Sequence, residues 1–287
     1  MASLQMLQMP DSLIKLDKHF YVEGRKLVTG IHSQRIDING LDIHYLTGGR
    51  GEPLIIIHGG SDGARAWKEN IAVLSKKYTL YVPDLPGFGS SQHWEGEYNI
   101  PEMVEFINKF AGSVGLESFY LMGHSFGGGV ALNYTLKYPQ NIRKLVLVSS
   151  LCLGKEIAWW VRLFSSPMAL KSIGRTVVSI LRGIRFVAGF LGPWEIVQPI
   201  TRASLQVGSG IASLTQQTIV LLSQLPEIMV PTLVLWGARD PIVPFTQAYA
   251  AAELIPDCQV KVFEDCGHSV YRDKLSEFSA VLAGFLG

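Results

Sequence analysis

Apolar residues recur along this chain in two alternating rhythms. Short, nearly unbroken runs such as Leu54-Ile55-Ile56-Ile57, Thr79-Leu80-Tyr81-Val82, Phe119-Tyr120-Leu121-Met122 and Leu145-Val146-Leu147-Val148 have the length and branched side chains of strands buried on both faces. Between them, apolar positions at helical spacing predict helices near Ala66–Ser75, Pro101–Val114 and Gly128–Tyr138. Pro101 suits a first helical turn, where its missing N–H would be unpaired anyway. Further strands are expected near Arg35–Ile38 and Asp42–Leu46, within Pro231–Pro244 and over Gln259–Glu264, with a final helix from about Asp273 to Phe285. This alternation predicts the α/β class: a mostly parallel central sheet flanked by helices. No internal repeat or low-complexity tract interrupts it.

The rhythm stops near Leu151 and resumes near Val230. Residues 1–150 and 230–287 are therefore expected to form one core, with 151–229 inserted as a helical cap. The insertion carries Trp159, Trp160, Phe164, Met168, Phe186, Phe190 and Trp194 with few acidic residues. Such a lid would exclude water and offer an apolar wall to a substrate. Trp159, Trp160 and Phe164 are the candidate substrate-binding residues, although packing accounts for any one of them as well. The apolar run Thr176–Gly192 is broken by Arg182 and Arg185, and a membrane span needs about 20 mostly apolar residues, so no stable membrane insertion is expected.

Candidate chemistry sits after the strands. Gly123-His124-Ser125-Phe126-Gly127 follows one apolar run and opens a helix, the pattern of a sharp turn that lifts its central serine above the sheet edge. Glycines two positions to either side relieve the crowding that a Cβ would create there. Asp240 lies just past the strand that begins at Pro231, and His268 follows Gln259–Glu264 in Cys266-Gly267-His268-Ser269. Serine, acid and histidine thus come in the order that such a hydrolase requires. A serine hydroxyl is too weak a nucleophile near neutral pH without a base; an imidazole supplies one, and a carboxylate orients the imidazole. His58-Gly59-Gly60-Ser61 follows Leu54–Ile57, where a backbone N–H of Gly60, or alternatively Ser61, would join that of Phe126 in an oxyanion hole. Taken singly, Asp240 also reads as a turn former before Pro241, and Gly59-Gly60 as a tight turn.

These motifs resemble the α/β-hydrolase fold superfamily, in its capped branch of esterases, C–C bond hydrolases, epoxide hydrolases and haloalkane dehalogenases. Asp84-Leu85-Pro86-Gly87-Phe88-Gly89-Ser90-Ser91 and Trp67 extend the likeness over nearly the whole chain. The resemblance implies Ser125 as nucleophile, Asp240 as acid, His268 as base, Gly60 and Phe126 as oxyanion donors, and no metal or organic cofactor. Epoxide hydrolases and dehalogenases of this branch carry a carboxylate at the elbow, so Ser125 points away from both. Many relatives have Pro or Trp soon after the histidine; the Ser269-Val270-Tyr271 found here weighs against, without excluding, a ring-fission C–C hydrolase.

Composition narrows the partners. The 287 residues suit one α/β domain with an insertion. A net charge of +1 offers no basic surface for nucleic acid, and 48% apolar with only 17% charged residues favours an apolar ligand. The 3 cysteines, Cys152, Cys258 and Cys266, have neither metal-ligand spacing nor the even number of a disulfide framework. Cys266 reads as a small packing residue. Residues 1–20 include Asp11, Lys15, Asp17 and Lys18 and lack the apolar core of a secretory signal, so a cytoplasmic location is the default expectation. The expected activity is hydrolysis of a small to medium, largely apolar carboxylic ester by a monomer or homodimer. The alternatives are a C–C bond hydrolase of a vinylogous diketone and a weakly catalytic ligand receptor on the same fold.

Overall fold

All eight strands foreseen from the apolar runs join one sheet in the order β1-β2-β4-β3-β5-β6-β7-β8. The computed structural model describes residues 30–60, 63–165, 207, 211–213 and 215–287. The strands are β1 (Ile31–Ile38), β2 (Leu41–Gly49), β3 (Glu52–Ile57), β4 (Tyr78–Pro83), β5 (Phe119–His124), β6 (Ile142–Val148), β7 (Thr232–Gly237) and β8 (Cys258–Phe263). β2 runs antiparallel to β1 and β4, and the strands from β4 through β8 pair in parallel. The helices are α1 (Lys68–Leu74), α2 (Ile100–Ser113), α3 (Phe126–Lys137), α4 (Trp159–Ser165), α5 (Thr246–Leu254), α6 (Val270–Asp273) and α7 (Leu275–Leu286).

Both faces of β3, β5, β6 and β7 are buried over most of their length, which explains why their sequences are nearly unbroken apolar runs. Along β3, Ile55 and Ile57 belong to the core under α2 and α3, while Leu54 and Ile56 belong to the opposite core with Trp67, Ile71, Phe278 and Leu282. The helix α2 begins as its sequence dictates: the Asn99 side chain accepts the Glu102 N–H at 2.9 Å, and Pro101 occupies the first turn. Topology then chooses the site. From the central β3 the chain leaves through α1 to β4 on one side, whereas β5 and β6 lie on the other. The chain thus leaves β3 and β5 toward opposite sides of the sheet, the topological switch point at which open α/β sheets hold their ligands.

Three elements depart from the sequence pattern. β1 starts at Ile31, ahead of Arg35, because it is an edge strand paired only with β2 and its His32 and Ser33 face solvent. α5 was not foreseen: Thr-Gln-Ala-Tyr-Ala-Ala-Ala-Glu-Leu is alanine-rich and carries no strong apolar stripe. The final helix is divided into α6 and α7 around Lys274.

Most of the expected cap falls outside the described residues, as do Thr176–Gly192 and residues 1–20. The two described ends of the insertion lie side by side. The Leu221 N–H donates to the Cys152 carbonyl and the Gln217 N–H to that of Lys155, each at 2.9 Å. Gln217 is buried; its Oε1 accepts the Cys152 N–H at 2.8 Å, and its Nε2 donates to the Glu156 carbonyl at 2.9 Å. No helix among the described residues is long and apolar enough to cross a membrane.

Candidate active site

Ser125 sits between β5 and α3 with φ 53° and ψ −115°, a left-handed conformation that L-residues with a Cβ adopt only when the surroundings hold them. The turn is held from both sides: the Ser125 N–H donates to the Val148 carbonyl at 2.9 Å, and its own carbonyl accepts from Gly129 and Leu151, each at 3.1 Å. The flanking glycines are required by close backbone approach. A Cβ on Gly123 would lie 2.1 Å from the Gly127 carbonyl oxygen, and one on Gly127 would lie 2.4 Å from that of His58. Because neither neighbour is the end of a flexible side chain, Gly127→Ala is expected to destabilise the fold by about 3 kcal/mol. Differential scanning calorimetry should show the midpoint falling by roughly 5–10 °C.

Asp240 and His268 are assembled by the loops after β7 and β8. The Arg239 N–H donates to the Cys266 carbonyl at 2.9 Å, and a Cβ on Gly237 would meet the Gly267 carbonyl oxygen at 2.1 Å, so only glycine lets these loops pack. The Asp240 side chain is fully buried. Its Oδ1 accepts the N–H groups of Ile242 and Val243 at 2.8 and 3.0 Å, which leaves Oδ2 for His268 Nδ1 at 2.7 Å. A carboxylate only accepts, so Nδ1 carries the proton and Nε2 is left as the acceptor. The Arg239 guanidinium turns outward to pair with Asp265 at 2.7 Å, both groups being largely exposed.

His124 joins the serine turn to the histidine loop. Its Nε2–H donates to the His268 carbonyl at 2.9 Å, and the two rings lie 4.8 Å apart. On the far side Trp67 stacks on Tyr271 at 4.0 Å, while Asn70 Nδ2 donates to the Tyr271 carbonyl at 3.0 Å. Both Trp67 and His124 are thus supports of the loops. Burial, joined by repulsion from His268, holds the His124 imidazole well below its ordinary value of 6.5, against the opposing hydrogen bond to the His268 carbonyl. A base whose folded-state pKa is depressed binds fewer protons than its unfolded counterpart. Its contribution to stability is therefore intact above about pH 6.5 and is lost as pH falls below it. Urea midpoints measured at pH 8 and pH 5.5 should drop on acidification, and His124→Gln should flatten that drop.

Gly60 and Phe126 also come together. A Cβ on Gly60 would lie 3.6 Å from Phe126 Cβ and 2.9 Å from Val207 Cγ1. Phe126 opens α3, where N–H groups lack intrahelical partners and the helix dipole is positive. His58 secures the Gly59-Gly60 loop: Nδ1–H donates to the Gly59 carbonyl at 2.7 Å, and Nε2 accepts the Leu85 N–H at 3.0 Å. Ser61 lies outside the described residues.

At Phe126 a cavity of about 200 Å³ opens, lined also by Tyr98, Ile100, Leu151, Cys152 and Ile219, among others. Asn99, Gln217 and Thr218 are its polar members. Burial pushes the Cys152 thiol up to about 12, so this cysteine offers no thiolate to compete with a hydroxyl. Trp159 is 68% exposed and Trp160 38% exposed, and neither lines the cavity; the Phe164 side chain lies outside the described residues. Sequence reasoning did not single out Ile211, Gln217, Thr218 or Ile219, which reach the cavity from the insertion's returning end. The one available signal was their place immediately before the strand rhythm resumes.

Known proteins share this fold. The family described as alpha/beta hydrolase fold matches residues 52–275. The dihydrolipoyllysine-residue acetyltransferase component of an acetoin cleaving system from Cupriavidus necator is 30% identical over 88% of this chain and 69% of its own length. A 2-hydroxy-6-oxo-6-phenylhexa-2,4-dienoate hydrolase of Comamonas testosteroni is 28% identical over 87% of this chain and 93% of its own. The crystal structure of a meta-cleavage product hydrolase from Pseudomonas fluorescens superimposes with a TM-score of 0.68 at 24% identity, over 88% of this chain and 97% of that one. With the family pattern matched from the first residue of β3 to the first of α7, the chain belongs to the alpha/beta hydrolase fold family and is a hydrolase.

Proposed function

We propose that this hydrolase cleaves small to medium, largely apolar carboxylic esters through an acyl-enzyme on Ser125. The observation that carries this reading is the 2.7 Å pair between Asp240 Oδ2 and His268 Nδ1, built beside a serine held at positive φ. In the proposed cycle His268 Nε2 takes the Ser125 proton as Oγ attacks the ester carbonyl, and Asp240 stabilises the imidazolium without taking that proton. The N–H groups of Gly60 and Phe126 receive the oxyanion. His268 then protonates the leaving alcohol, and water repeats the sequence to release the acid. The span 151–229 acts as the lid. The cavity's size, below the 300–1,000 Å³ usual for larger ligands, favours a compact group on at least one side of the ester.

A second reading, hydrolysis of a C–C bond beside a ketone in a vinylogous diketone, is favoured by the substrate that the Comamonas relative is named for. It would use the same three residues, with His268 also delivering a proton to carbon. Turnover of short p-nitrophenyl esters beside a vinylogous diketone separates the two. We expect ester cleavage to dominate; efficient diketone turnover with negligible ester cleavage would reverse the ranking.

A further inference from the structure

A second serine, histidine and aspartate are linked in relay geometry far from Ser125. Ser33 on β1 hydrogen-bonds through Oγ to His44 Nε2 at 2.8 Å, and His44 Nδ1 lies 2.7 Å from Asp84 Oδ2. The side chains of His44 and Asp84 are almost fully buried, whereas Ser33 is exposed on the edge strand. The carboxylate is fixed as Asp240 is: Oδ1 accepts the Ala64 N–H at 2.6 Å, and Oδ2 also accepts the Ser90 N–H at 2.8 Å. Burial would raise the Asp84 pKa, but the His44 hydrogen bond, the nearby His58 and the Ser90 and Ala64 amides outweigh it, and the net shift is downward. Asp84 is therefore ionised and accepts the Nδ1 proton, so that Nε2 must accept from the Ser33 hydroxyl. β4 and β3 lie between β2 and β5, so this trio shares no loop with Ser125, Asp240 or His268.

We propose that Ser33, His44 and Asp84 form a second relay that makes Ser33 an acylation site for activated aryl esters. In that step Ser33 Oγ bonds to the ester carbonyl carbon while its proton passes to His44 Nε2. The carbon–oxygen bond to the aryl group breaks, and the phenolate leaves and recovers the proton, giving acyl-Ser33 and a phenol. The exposure of Ser33 gives such a reagent access. A purely architectural role, pinning the β1–β2 hairpin to the loop after β4, needs only His44 and Asp84 and predicts no special reactivity at Ser33.

The two accounts separate in a Ser125→Ala background, so the result is independent of what Ser125 does. Protein incubated with p-nitrophenyl acetate is digested, and acetylation is quantified by peptide mass spectrometry at Ser33 and at the exposed Ser113 and Ser276, which serve as internal references. General-base assistance raises attack by about 10²–10⁴-fold, so labelling at Ser33 should exceed that at the references at least about tenfold. His44→Gln should bring it down to their level, and Ser33→Ala should remove it. Labelling at Ser33 no faster than at Ser113 and Ser276 would overturn the proposal. So would undiminished labelling in a folded His44→Gln protein; if that variant does not fold, the internal ratio alone decides.

Discussion

Replacing Ser125 with alanine is expected to lower turnover of a p-nitrophenyl ester by a factor on the order of 10⁴–10⁶ while leaving the thermal midpoint almost unchanged. The two halves of this expectation have separate causes. Alanine keeps a Cβ at the same strained backbone position, so the conformational penalty at φ 53° is the same in both proteins, and the hydrogen bonds that hold the turn come from the backbone. What disappears is the oxygen proposed to attack. The remaining Gly60 and Phe126 N–H groups, with bound substrate, would leave only a residual acceleration over water. Steady-state kinetics beside a circular-dichroism melt reads both quantities. A folded variant retaining more than a tenth of its turnover would remove Ser125 from the nucleophile's role.

The legible part of this protein was the part written in local chemistry. Unbroken apolar runs marked the inner parallel strands because both their faces are buried, and the Gly-x-Ser-x-Gly spacing marked the elbow because backbone carbonyls lie within 2.1–2.4 Å of where a Cβ on Gly123 or Gly127 would stand. The order of Ser125, Asp240 and His268 placed three loops at one sheet edge. What escaped depends on contacts between distant segments. Gln217 looks like an ordinary polar residue, yet it is buried where Cys152 and Glu156 need partners. Ser33 and His44 fall on diagonal positions of a hairpin, and nothing in their spacing announces that Asp84 arrives from another strand. α5 was missed because alanine favours helix without marking which face is buried.

Asp240→Asn tests the orienting role more sharply than deletion does, because the two oxygens of this carboxylate have different occupations. Oδ1 is committed to the N–H groups of Ile242 and Val243, so an asparagine must place its carbonyl oxygen there and turn its NH₂ toward His268 Nδ1. That NH₂ can only donate, and Nδ1 must then accept. The ring proton moves to Nε2, and in the proposed cycle the imidazole then has no lone pair there to take the Ser125 proton. Turnover should fall about 10⁴-fold, the loss expected for a wrong tautomer with intact geometry, while KM changes little because the apolar pocket is untouched. The melt should barely move. Asp240→Ala, by contrast, strips partners from two backbone N–H groups beside a buried carboxylate site and should also cost stability, by roughly 1–3 kcal/mol for each donor left buried. The pair of variants thus separates tautomer control from loop support. An asparagine enzyme with turnover within tenfold of the parent, at unchanged stability, would show that Asp240 does not orient the base.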